Sequence, residues 1–111
     1  MGHVTAENIR RKAGDTYPIL AEIKDGAAIM DLSGATAIQL GVSASRSGGT
    51  VTVIDGALDS DGADGMLKFD DTVKLGAIAA GKHFAEITFQ RGGYIYTTPT
   101  FSCDIEEQII A

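Results

Sequence analysis

The 111 residues carry a formal net charge of −6, 44% apolar side chains, 6% aromatics and no Trp, which fits one domain with an aliphatic core. A single cysteine, Cys103, rules out an intramolecular disulfide and a Cys-based zinc site. One short basic run and no stretch near the roughly 20 apolar residues of a membrane span remove nucleic acid and membrane from the expected partners.

Residues 1–12 read as an N-terminal arm or edge strand, with Arg10-Arg11-Lys12 as a solvated basic run and no hydrophobic signal core. Residues 13–107 read as one domain and residues 108–111 as a C-terminal tail. From there period two dominates. In TYPILAEIK (16–24), Tyr17, Ile19, Ala21 and Ile23 share a face opposite Glu22 and Lys24. In AIQLGVSAS (37–45), Ile38, Leu40, Val42 and Ala44 alternate with Gln39, Gly41 and Ser43. HFAEITFQ (83–90) sets Ala85, Ile87 and Phe89 on one face, and FSCDIE (101–106) does the same with Phe101, Cys103 and Ile105. Such alternation predicts half-buried antiparallel strands, with Phe69, Phe84, Phe89 and Phe101 as large core fillers.

Shorter strands are expected at Ala28–Met30, Val51–Ile54, Met66–Phe69 and Tyr94–Thr97. Turns are expected at Asp25-Gly26, Ser33-Gly34, Ser47-Gly48-Gly49, Asp55-Gly56 and Arg91-Gly92-Gly93, the last being the strongest hairpin signal. Only DDTVKLGAIAAG (70–81) looks helical, as a short turn near residues 70–78. The sum is an all-β antiparallel β-sandwich of about seven to nine strands.

Charge is concentrated in two places. Residues 55–71 hold six aspartates against Lys68 alone, and the tail from Asp104 adds three more acids. LDSDGADG (58–65) has two readings. Counted from Asp59, an EF-hand loop finds Asp61 at position 3 and Asp70 at position 12, but Ala63 at position 5 and its glycine one place late. The other reading is a β-turn loop, in which Asp bonds its own backbone and Gly supplies positive φ. The turn is preferred, and weak calcium binding by Asp59, Asp61 and Asp64 is the alternative.

Catalytic chemistry finds little foothold. His83 is the one histidine placed to act as a base, and it reads as a partly buried ring bonded to backbone. No G-x-S-x-G elbow, P-loop or dinucleotide glycine pattern is present. Cys103 reads as a small buried hydrophobe. Tyr94 and Tyr96 share a strand face and serve sheet packing or a small contact patch. No catalytic, cofactor-binding or metal-binding residue is assigned, and the chain is not expected to be an enzyme.

GDTYP (14–18), DLSGAT (31–36), GMLKF (65–69), AGKHFAEITF (80–89) and YTTPTFSCDIE (96–106) follow in an order that resembles the immunoglobulin-like N-terminal domain of phage baseplate upper proteins and related tail and prophage proteins. The resemblance covers residues 13–107 and implies an immunoglobulin-like sandwich in a virion tail or baseplate, made in the host bacterial cytoplasm. It implies docking on other tail or baseplate subunits, self-association of the kind such proteins show, and no catalytic residue. His83 stands where a tyrosine is usual in that family, so it must pin the corner in the tyrosine's place or leave it looser. A surface-binding sandwich, adhesin-like or carbohydrate-binding, is the alternative function.

Overall fold

The structure is a computed structural model that describes residues 4–45 and 51–109. In chain order the elements are β1 (Val4–Thr5), β2 (Ile9–Lys12), β3 (Ile19–Glu22), β4 (Lys24–Asp25), β5 (Ala28–Ile29), β6 (Thr36–Ser43) and β7 (Val51–Asp55). They continue as β8 (Ala57–Leu58), β9 (Met66–Phe69), α1 (Thr72–Gly76), β10 (Gly81–Arg91), β11 (Tyr94–Thr97) and β12 (Phe101–Glu106). Four of these twelve strands are two-residue pieces, which leaves eight of four residues or more among the described residues. The chain is all-β, as its period-two pattern predicts.

The larger sheet runs β2-β12-β10-β6-β7, with β11 also on β10; a second runs β3-β9-β8, and a third, small one runs β1-β4-β5. Ile23 joins the second and third, donating its N–H to the Gly65 carbonyl at 2.8 Å and accepting from Met30 N–H at 3.0 Å. With β3, β9 and β8 on one side and β7, β6, β10 and β12 on the other, the strand order is that of an immunoglobulin-type sandwich. One cluster fills the space between: Leu40, Val42, Ile87 and Phe89 from the larger sheet meet Ile19, Leu67 and Phe69 from the smaller.

One pairing departs from the antiparallel expectation. β2 lies parallel to β12, from Cys103↔Ile9 to Glu106↔Lys12. Parallel neighbours need a long connection between them, and here nearly the whole domain supplies it.

The same pairing corrects the reading of Arg10-Arg11-Lys12 as a solvated run. Arg10 and Lys12 do face water, 3.9 and 3.2 Å from the Glu106 carboxylate. Arg11 has the opposite parity and is only 5% exposed. Tyr17, expected on the core face, is instead 56% exposed and lies against the Arg11 guanidinium at 4.1 Å, because regular β3 begins only after Pro18. Ala44 is exposed since β6 ends at Ser43. Phe84 is also no core filler: it has the outward parity of Glu86, whereas Phe69 and Phe89 are fully buried.

The turn chemistry is mostly as the glycines predict. Gly92 and Gly93, at φ +60° and +84°, close a two-residue hairpin between β10 and β11, with Arg91 opposite Tyr94. Ser47-Gly48-Gly49 lies outside the described residues. Asp55-Gly56 is no open turn but the point where the chain leaves the larger sheet for the smaller. α1 begins where Asp71 accepts a hydrogen bond from Lys74 N–H at 3.1 Å, and its Leu75 is buried.

The long β10 has two neighbours on one edge, β11 along residues 88–91 and β12 along residues 81–85. Between them Thr98 takes both backbone groups of Ile87. Its Oγ1 accepts from Ile87 N–H at 3.0 Å, and its own N–H donates to the Ile87 carbonyl at 2.9 Å. A threonine just before Pro99 thus fills the gap where one strand hands over to the next.

Candidate functional site

The residues with chemical potential are dispersed. In the aspartate loop, Asp61 Oδ1 accepts from Ala63 N–H at 3.0 Å and Asp64 Oδ1 from Met66 N–H at 3.1 Å, each two residues on. Asp64 Oδ2 accepts from the Ser60 hydroxyl at 3.1 Å, and Asp59 N–H donates to the Met66 carbonyl at 3.1 Å. These are turn bonds of the type the composition suggests. Gly62 is held close to Leu32, since its carbonyl accepts from Leu32 N–H at 2.8 Å and a Cβ there would lie 2.8 Å from the Leu32 carbonyl carbon. The loop is therefore stitched to residues 32–33 by backbone.

Among the described residues no three His, Cys, Asp or Glu side chains are grouped to hold a metal ion. Thermal unfolding in about 5 mM calcium and in chelator is expected to coincide within about 1 °C. A millimolar site would add about 1 kcal/mol and move the midpoint by several degrees.

His83 Nε2 lies 2.8 Å from the Ala79 carbonyl, four residues upstream at the corner that leads into β10. An imidazole N–H thus makes a backbone bond of the kind that a tyrosine hydroxyl makes at the corner of immunoglobulin-type sandwiches. Cys103 is fully buried, and burial pushes its thiol up to about 11, with the Arg11 charge opposing. Two consequences follow. Thiol reagents at pH 8 are expected to label Cys103 only as fast as the domain opens, giving one slow phase that denaturant collapses into a fast one. Because the folded-state pKa lies above the usual thiol value of 9.0, this group's contribution to stability is intact below pH 9 and lost as pH rises from 9 towards 11.

The most site-like surface is the outer face of the larger sheet. Gly41 faces outward on β6 opposite Val53 of β7 and Glu86 of β10. Its missing side chain opens a depression of about 150 Å³ lined by Ser43, Val51, Phe84, Glu86 and Thr100. Val51 and Val53 are 51% and 39% exposed beside it. On the β10–β11 hairpin Tyr94 and Ile95 project into solvent, while Tyr96 stacks on Phe89 with ring centroids 5.2 Å apart. Tyr94 and Tyr96 thus share a parity but not a role. Ile109 is almost fully exposed, and Ile110 lies outside the described residues.

A glycine inside a strand signals close backbone approach or space for something else, and that was the only sequence mark of the depression. No helix among the described residues is long and apolar enough to cross a membrane. The fold defines the chain as an immunoglobulin-like β-sandwich. No protein-family model matches it, and no curated protein matches it in sequence.

Proposed function

We propose that the chain is a non-catalytic structural module of a phage or prophage tail or baseplate, docking on other tail subunits. One observation carries the proposal: the segments that resemble the baseplate family fall on the structural nodes of an immunoglobulin-like sandwich. Residues 14–18 lead into β3 and residues 31–36 into β6. Residues 65–69 contain β9 just before α1, residues 80–89 run into β10, and residues 96–106 carry the β11–β12 return. The exposed Val51, Val53, Tyr94 and Ile95 suit a module whose surfaces are covered in an assembly. Mass spectrometry of gradient-purified virions from the source lysogen or phage tests it. The chain should be present in a fixed ratio to other tail proteins; its absence from intact particles would overturn the proposal.

The depression over Gly41 favours a second reading, a small surface-binding module. Phe84 offers an apolar face while Ser43, Glu86 and Thr100 offer hydroxyl and carboxylate groups, a combination that suits a sugar ring. A glycan array read with Gly41→Leu as the blocked control separates the two. Micromolar binding lost in the variant supports the second reading, and no binding leaves the first.

A further inference from the structure

β3 is an edge strand of the smaller sheet, and the chain segment best placed to cover it turns away. β1 pairs with β4 from Val4↔Asp25 to Thr5↔Lys24, so continuing it would lay residues 6–9 along β3. Instead the chain crosses to the larger sheet, where Asn8 Oδ1 accepts from Ser102 N–H at 3.0 Å and β2 joins β12. Among the described residues no backbone hydrogen bond links residues 6–9 to Ile19–Glu22. A groove of about 380 Å³ is left between them, with Glu7, Asn8 and Ile9 as one wall and Leu20, Ala21, Glu22 and Met66 as the other.

Two other edges are guarded. Lys74 Nζ donates to the Val53 carbonyl of β7 at 2.7 Å, and Arg10 and Lys12 of β2 flank Glu106. Charged and lysine-capped edges resist strand addition. Leu20 of β3, in contrast, stands 54% exposed.

We propose that this groove takes an extended segment of a partner protein, added as a strand on the open edge of β3 and carrying lysine or arginine at alternate positions. The walls set that chemistry. Ile9, Leu20 and Met66 supply apolar contact for one face of the added strand. The charged groups lining the groove are Glu7 and Glu22, both acidic, on opposite walls. Lys24 meets Glu22 only at 3.8 Å and is displaceable by a better-placed cation. Backbone bonds give such a strand its affinity, and alternate side chains give it selectivity. The proposal holds whether or not the partner belongs to a virion.

The test is an NMR titration of the whole chain with two synthetic octapeptides, one alternating valine with lysine and one alternating valine with glutamate. The lysine peptide should give saturable shifts centred on residues 7–9, 19–22 and 66, and slow amide exchange within β3. The glutamate peptide should bind at least about tenfold more weakly, and Glu7→Lys with Glu22→Lys should invert that preference. If that double variant misfolds, Glu7→Gln with Glu22→Gln should abolish the preference instead. Equal affinity for both peptides, shifts centred on the aspartate loop or the Gly41 face, or no saturation would overturn the proposal. Concentration-dependent shifts at β3 without peptide would also overturn it, by placing a second copy of the chain there.

Discussion

Replacing Gly56 by alanine should lower the unfolding free energy by about 3 kcal/mol and the thermal midpoint by roughly 10–15 °C. Gly56 separates β7 from β8, where the chain passes from one sheet to the other, and its N–H donates to the Ile38 carbonyl at 2.9 Å. A Cβ at this position would lie 2.4 Å from Phe69 Cε1, 2.5 Å from Cδ1 and 3.0 Å from Ile38 Cγ2. Phe69 is fully buried, so its ring has no free space to swing into. Gly56 is not among the positive-φ glycines, so the penalty is steric rather than conformational.

Gly34→Ala is the natural contrast. It sits at φ +80° with nothing within 4 Å, and it should cost only the backbone strain of about 1 kcal/mol. Urea titrations of both variants, with Phe69→Leu added to Gly56→Ala, separate the causes. Leucine gives the new methyl room, so the double variant should be more stable than the sum of the two single losses predicts. A Gly56→Ala protein within about 1 kcal/mol of the parent would mean that the crossing point shifts freely.

What the sequence discloses here is what depends on near neighbours. The sets Ile38/Leu40/Val42, Ala85/Ile87/Phe89 and Phe101/Cys103/Ile105 are all buried, because strand parity is a local property that one buried face turns into a pattern. The Arg91-Gly92-Gly93 hairpin, the short α1 and the Asp61 and Asp64 turns are local in the same sense. Residues whose role comes from distant partners carry no such local mark. Gly56 looks like an ordinary turn glycine until Phe69 is placed against it. The groove beside β3 exists because the chain leaves after Thr5 to pair with β12, and no residue between Ala6 and Asn8 announces that departure. Phe84 has the composition of a core residue, but its parity relative to the buried Ala85 places it on the outer face.

Arg11 is the sharpest case of a distant cause, and its replacement by alanine should cost about 2–3 kcal/mol. Arg11 is only 5% exposed, and its Nη2 donates to the Asp15 carbonyl at 2.9 Å and the Tyr17 carbonyl at 2.7 Å. The Tyr17 ring lies 4.1 Å from Cζ. Among the described residues no carboxylate pairs with it, so its charge is met by two carbonyl dipoles and an aromatic face. These bonds fix the bend between β2 and β3, which in turn sets the position of the edge that borders the groove. Lysine cannot reproduce the planar fork or stack as guanidinium does. Arg11→Lys should therefore be no more stable than Arg11→Ala, because it still buries a charge but satisfies it less well. Tyr17→Leu should cost about 1 kcal/mol, and a double-mutant cycle with Arg11→Ala should return a coupling of about 0.5–1 kcal/mol. Since the group is buried and its partners are carbonyls and a ring, the loss should be nearly insensitive to added salt, unlike that of an exposed ion pair. Full stability in Arg11→Lys would show that any cation suffices there and that the fork onto Asp15 and Tyr17 does not hold the bend.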